Sequence, residues 1–368
     1  MSVNIGIIGL PGSGKTTIFN SLTRGKVDTE SHTPKSLASH IGIAKVPEPR
    51  LHVLADMLMP KRVVSAEIRY IDVGASVKDL VEDEAISGQL LTQLSTVDAL
   101  ISVVRAFTDE KIPHIKGSID VGRDITTMDL ELAFSDLTIV ERRLKRIEVS
   151  LKGAKQPERQ SLLREQEILM KTKADLEKDV PIRELQLAAD EVMMITNYQF
   201  LTAKPLLIAV NIGEEQLPQA MALEAELNAH YLRPHSCVVT FCGKLEMELG
   251  ELDDSAAEEF RADFGMRECG VDRITKSIYE LLGLISFFST ASGEVRAWSI
   301  QSGTNALKAA GKIHSDMERG FIRAEVIGYP DLMKCGSIAE ARKKGLLRLE
   351  GKNYIIQDGD VITFLFNV

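Results

Sequence analysis

One pattern, within residues 3–22, restricts the possible folds more than any other. Val3-Asn4-Ile5-Gly6-Ile7-Ile8 is a short, β-branched apolar run of the kind that forms a strand buried on both faces. Gly9-Leu10-Pro11-Gly12-Ser13-Gly14-Lys15-Thr16 follows, with Thr17 directly behind it. Thr16-Thr17-Ile18-Phe19-Asn20-Ser21-Leu22 then reads as the first two turns of a helix. The turn between strand and helix has the spacing G-x-x-x-x-G-K-[ST]. Its glycines let the backbone close around an anion with N–H groups pointing inward. The helix N-terminus adds partial positive charge, Lys15 reaches the β and γ phosphates, and the Thr16 hydroxyl can ligate Mg²⁺. Residues Gly9, Leu10, Pro11, Gly12, Ser13, Gly14, Lys15, Thr16 and Thr17 are therefore expected to bind a nucleoside triphosphate. A purely structural glycine-rich turn is the alternative.

With 368 residues, 44% of them hydrophobic, the chain has length for two or three domains with real cores. No run of 18 apolar residues appears, so no membrane span is expected. The sequence enters a strand without a leader pattern, and Cys237, Cys242, Cys269 and Cys335 lack C-x-x-C spacing. Both features fit a reduced cytoplasm. A net charge of −9 argues against indiscriminate coating of nucleic acid, while leaving room for a local basic face on RNA.

Further strands are expected at 41–46, 66–71, 99–105, 205–211 and 236–241. The second of these ends at Asp72, roughly 55 residues beyond the loop, where a P-loop protein holds Mg²⁺ through a Walker-B carboxylate. The polar stretch 23–39 is long for an internal connection, and such loops tend to be functional. Between about 126 and 195 the period becomes helical. Leu130, Phe134, Leu137, Val140, Leu144, Ile147 and Leu151 form one stripe, residues 152–158 a turn, and Leu162, Leu169 and Leu176 a second stripe. These predict an antiparallel helical hairpin. Its basic row Arg142, Arg143, Lys145 and Arg146 reads as solvated surface, with a docking face as the alternative. In doubly wound folds ligands sit beyond the carboxyl ends of strands, which places Asn211, Glu214, Cys242 and Gly243 where a base can be read. From about 287 the pattern alternates as in exposed sheets, and 354–366 reads as two strands around an Asp-Gly turn.

Three blocks together resemble the YchF (Obg-like ATPase) family of translation-factor-class P-loop NTPases. They are Gly9–Thr17, Asn211-Ile212-Gly213-Glu214, and the tail "AAGKIHSDMERGFIRAEVIGY…LEGKNYIIQDGDVITFLFNV". "VPEPRL" at 46–51 and "LTAKPLLIAVN" at 201–211 extend the resemblance over essentially the whole chain. It implies an α/β G domain with a doubly wound, mainly parallel sheet at 1–125 and 196–285. It also implies an inserted helical hairpin at 126–195 and a β-rich TGS domain at 286–368. Most relatives of the wider class read guanine with Asn-Lys-x-Asp. Asn211-Ile212-Gly213-Glu214 lacks the Lys and ends in a longer acid, which in this family goes with ATP use or relaxed base choice. Cys242 and Gly243 would touch the base.

By the same resemblance Ser36 stands where the family has its Mg²⁺-binding Thr, with Thr33 nearby, so Thr16, Ser36 and Asp72 form the expected metal set. His114 matches a family histidine proposed to orient the attacking water, and a loop histidine without that role is the alternative. Switch II departs from the family's Asp-x-Ala-Gly-Leu. Here Asp72-Val73-Gly74-Ala75-Ser76 places Ala75 at the Gly and Ser76 at the apolar residue, and acidic Asp79–Glu84 follows. Two functions are expected to compete. One is a slow ATPase or GTPase switch that meets the ribosome or its RNA through hairpin and TGS domain. The other is a nucleotide-binding scaffold with little or no turnover. A small-molecule kinase lacks its arginine-bearing lid.

Overall fold

The computed structural model describes residues 3–25, 40–73, 92–231, 233–263, 268–291 and 293–367. The first elements are β1 (Val3–Gly9), α1 (Lys15–Thr23), β2 (His40–Lys45), α2 (Pro49–Leu58), β3 (Arg62–Val64), β4 (Glu67–Asp72) and β5 (Ala99–Arg105). Two long helices follow, α3 (Val121–Leu151) and α4 (Glu158–Leu176), then β6 (Leu206–Asn211) and β7 (Ser236–Phe241). The C-terminal strands are β8 (Leu284–Ala291), β9 (Glu294–Gln301), β10 (Phe321–Gly328), β11 (Arg348–Glu350) and β12 (Asp360–Phe366). No helix among the described residues is long and apolar enough to cross a membrane.

Continuous apolar runs form the middle of the first sheet, ordered β2-β4-β1-β5-β6-β7. Every residue of β5 and β6 is buried, as strands covered by helices on both faces must be. The pairs β1–β5, β5–β6 and β6–β7 are all parallel, so Gly9, Arg105, Asn211 and Phe241 end their strands at one edge. β4 brings Asp72 there too, since the Val73 N–H donates to the Ile7 carbonyl beside β1.

The helix α3 serves two cores. Its first turns place Ile125, Met128 and Leu132 against the sheet. Farther along, Ala133, Val140 and Ile147 pack against Ile168, Leu169 and Leu176 of α4. Leu130 and Phe134, expected in the buried stripe, are instead 47% and 53% exposed. The reason is rotational. The face turned to the sheet at 125–132 is not the face turned to α4 beyond 133, and 130 and 134 belong to neither. The hairpin thus grows from a helix rooted in the G domain, five residues before the expected start at 126. Its return is fastened at fully buried Asp136, whose carboxylate accepts from the N–H groups of Leu201 and Thr202 and from the Thr202 hydroxyl. Burial pushes this carboxyl up to about 6 against those donors.

A second compact unit contains residues 278–368 and also residues 44–68. Its sheet runs β11-β10-β12-β8-β9-β3. The expected assignment of all of 1–125 to the G domain therefore differs from the structure at 44–68. β3 pairs in parallel with β9, Val63 against Val295. Arg50, from the "VPEPRL" stretch, forks between Glu48 and Asp358 and lies over the Phe288 ring. The expected hairpin at 354–366 is also corrected. Only β12 is a strand, and its antiparallel partner is β10. Asp358 is drawn away from hairpin geometry because its carboxylate accepts from the Ser286 N–H as well as from Arg50.

Candidate nucleotide site

The loop after β1 takes the shape its glycines allow. Gly14 caps α1 at φ 95°, and a Cβ there would collide with the Asn211 side-chain amide. The Ser13 N–H bonds back to the Leu10 carbonyl at 3.2 Å, closing the turn. Lys15 Nζ lies across the loop, 2.9 Å from the Gly9 carbonyl and 3.2 Å from that of Leu10. The Thr16 hydroxyl donates to Asp72 Oδ2 at 3.1 Å. Asp72 is 1% exposed, and its other oxygen, Oδ1, has no hydrogen-bond partner among the described residues. Burial raises the Asp72 pKa, while Lys15, the Thr16 bond and His40 pull it down. A buried carboxylate with a vacant oxygen beside a Thr hydroxyl suits a hard cation that takes its remaining ligands from phosphates and water. Thr16 and Asp72 therefore fit Mg²⁺. Ser36 and Thr33 lie outside the described residues, as do Ala75, Ser76 and Asp79–Glu84.

The residues expected to surround a base come from separate segments. Asn211 is a buried strut: its Nδ2 donates to the Ser13 carbonyl at 3.1 Å and its Oδ1 accepts from the Gly243 N–H at 3.0 Å. One side chain thereby ties the P-loop to the Cys242–Gly243 loop. The Ser21 hydroxyl of α1 adds a bond to the Gly243 carbonyl, and Thr17 packs beneath that glycine. Ile212 and Cys242 are each 3% exposed, and burial pushes the Cys242 thiol up to about 11. Cys242 thus offers packing and backbone rather than a reactive thiolate. Glu214 pairs with exposed Lys244, Oε1 to Nζ 3.0 Å.

The sequence did not single out Phe107 and Arg105. The N–H groups of Ala106 and Phe107 donate to the Asn211 carbonyl at 2.8 and 3.2 Å, which sets the Phe107 ring beside Gly14. The Arg105 guanidinium covers that ring at 4.5 Å. An available signal was an arginine ending an otherwise apolar strand at the ligand edge of the sheet.

His114 lines a narrow crevice with Leu10 and Pro11. Its Nδ1 accepts from the Lys116 N–H at 3.1 Å, which puts the ring proton on Nε2, facing Asp124 Oδ2 at 2.7 Å. Arg123 holds the other oxygen of Asp124 through Nε and Nη2. The His114 side chain is 5% exposed, so most of the ring is turned into the protein.

Comparison with known proteins accords with this geometry. Residues 284–367 match the family model described as "Protein of unknown function (DUF933)", which represents the YchF-GTPase C-terminal region. Residues 4–133 match the one described as "50S ribosome-binding GTPase". The chain is 37% identical to the "Ribosome-binding ATPase YchF" of Bacillus subtilis (strain 168), covering 100% of both proteins. To the protein of that name in Escherichia coli O157:H7 it is 35% identical, again covering 100% of both. The solved structure of the Schizosaccharomyces pombe YchF GTPase matches with a TM-score of 0.82 at 27% identity, over 99% of this chain and 98% of that one. With its P-loop, its Asn-Ile-Gly-Glu segment at 211–214, its α/β G domain with a helical hairpin, and its TGS-like C-terminal unit, the chain belongs to the YchF family of P-loop NTPases.

Proposed function

We propose that this chain is an ATP-preferring switch that hydrolyses slowly in isolation and works on the ribosome in the cytoplasm. The observation that carries the reading is the Thr16–Asp72 pair with its vacant, buried carboxylate oxygen, set under a P-loop whose lysine is already in place. Bound Mg²⁺, held by Thr16 and Asp72 with Ser36 as a further candidate, would neutralise charge on the phosphate oxygens. The P-loop, Gly9 to Thr17, orients the phosphates. Asn211, Ile212, Glu214 and the Cys242–Gly243 backbone surround the base. Relatives at 35–37% identity are named ribosome-binding ATPases, which favours ATP and the ribosome for this chain as well.

Slow turnover follows from His114. Both ring nitrogens are engaged, so for His114 to orient an attacking water it would first have to leave Asp124 or the Lys116 N–H. A scaffold that never turns over is the second reading, favoured by the same engagement. The hairpin supplies the docking chemistry. Arg142, Lys145, Arg146, Lys152 and Lys155 are exposed near its tip and make no ion pair among the described residues, whereas Arg143 turns inward to Glu165. A basic tip on an acidic chain suits an RNA phosphate backbone.

Single-turnover hydrolysis with and without ribosomes tests the proposal. The isolated chain is expected at or below about 10⁻⁴ per second, faster with ribosomes, and slower after His114→Ala. A rate near about 1 per second in isolation overturns the slow switch, and no turnover even with ribosomes leaves the scaffold. Competition showing GTP bound about tenfold tighter than ATP, about 1.4 kcal/mol, overturns the base preference.

A further inference from the structure

Arg105 is 3% exposed, yet among the described residues its guanidinium hydrogen-bonds to no carboxylate. Its Nε donates to the Phe107 carbonyl at 3.1 Å, Nη1 to that of Ile112 at 2.8 Å, and Nη2 to that of Asp109 at 3.3 Å. The Asp109 carboxylate accepts from the Lys111 N–H and acts on Arg105 only through its charge, not through a hydrogen bond. A buried cation whose hydrogen bonds among the described residues go to three carbonyls of one short loop is costly to desolvate, and it ties that loop together. The loop brackets the P-loop at two points. Ile112 lies where a Cβ on Gly12 would touch it, and the Phe107 ring flanks Gly14. Arg105 is also the register partner of Asn211 across β5 and β6.

We propose that Arg105 is a positioning residue for nucleotide binding: it clamps the 107–112 loop so that the Phe107 ring forms a fixed wall beside Gly14 and Asn211. The clamp needs a planar fork of donors in three directions, which one lysine ammonium cannot reproduce. The guanidinium, held beside Gly12 and not hydrogen-bonded to a carboxylate among the described residues, adds to the field that favours a polyphosphate. The proposal rests on nucleotide binding at this site, and the unmodified chain is therefore titrated with ATP first. A chain that binds no ATP sinks that reading before any variant is made.

The test is a double-mutant cycle of Arg105→Lys and Phe107→Ala, read by titration with a fluorescent ATP analogue. Hydrogen exchange of residues 106–112 is followed in the ligand-free proteins. Thermal melting confirms that each variant is folded. Arg105→Lys is expected to speed exchange in the loop at least tenfold and to weaken ATP about tenfold. Phe107→Ala should cost about the same, and the double variant about tenfold rather than a hundredfold, because both remove one wall. Additive losses near a hundredfold would show that Arg105 acts independently of the ring and overturn the proposal. So would an Arg105→Lys variant with unchanged loop exchange, or one whose ATP affinity stays within twofold of the parent.

Discussion

The phosphate side and the base side of the site are built on different principles. Gly9 to Thr17 is one contiguous stretch whose backbone is proposed to make the anion cradle, with Asp72 the one remote addition among the described residues. The base side draws on Phe107, Asn211–Glu214 and Cys242–Lys244, brought together only because β5, β6 and β7 run parallel in register. A contiguous cradle concentrates binding energy in few residues. An assembled wall spreads it over struts, each of which does less.

Lys15→Ala breaks the concentrated side and should have the largest effect. The only loop charge aimed at the β and γ oxygens is lost, and ATP affinity falls by more than about a hundredfold, about 3 kcal/mol. Calorimetric titration decides it, and micromolar affinity in this variant would erase the contrast between the two sides. Asn211→Ala removes one strut. Two buried hydrogen bonds at about 1 kcal/mol each predict a loss of roughly tenfold to thirtyfold, shared by ATP and GTP. A shift in the ATP-to-GTP ratio beyond about threefold would mean that Asn211 also reads the base directly. Lys244→Ala should do least. An exposed ion pair contributes about 0–1 kcal/mol, so competition assays should find base preference changed by less than about fivefold. A larger change would move the seat of discrimination out to the Glu214–Lys244 pair.

The two sides also differed in how much the sequence disclosed. The P-loop was legible because its chemistry is local, and the parallel strands because burial on both faces makes them continuous apolar runs. Asn211, Glu214 and Gly243 were placed by their position at strand ends together with the family resemblance of the 211–214 tetrad. Phe107 and Arg105 stayed hidden, since an aromatic and an arginine after a strand carry no spacing signature. The Asp124 partner of His114 was hidden as well, because it depends on how α3 meets the loop before it. In α3 the helical period was clear, but not the change of buried face between Leu132 and Ala133, which depends on what each half packs against. The alternation at 354–366 suggested a hairpin, and the Arg50 and Ser286 contacts of Asp358 overrode it.

The membership of residues 44–68 in the C-terminal unit has a consequence for how the chain comes into being. β3 leaves the ribosome early, but its partner β9 follows only about 230 residues later. At roughly 5–20 residues per second, this segment waits on the order of 10–50 s without its sheet. The strand carrying Asp72, Glu67–Asp72, begins at the end of this segment and runs on past it. The Walker-B strand is thus joined to a stretch that stays unsatisfied through most of synthesis. A chain stopped before residue 294 has an unpaired β3 and no Asp358 for Arg50. Such a long-range closure slows folding and makes completion of the N-terminal third conditional on the last residues made.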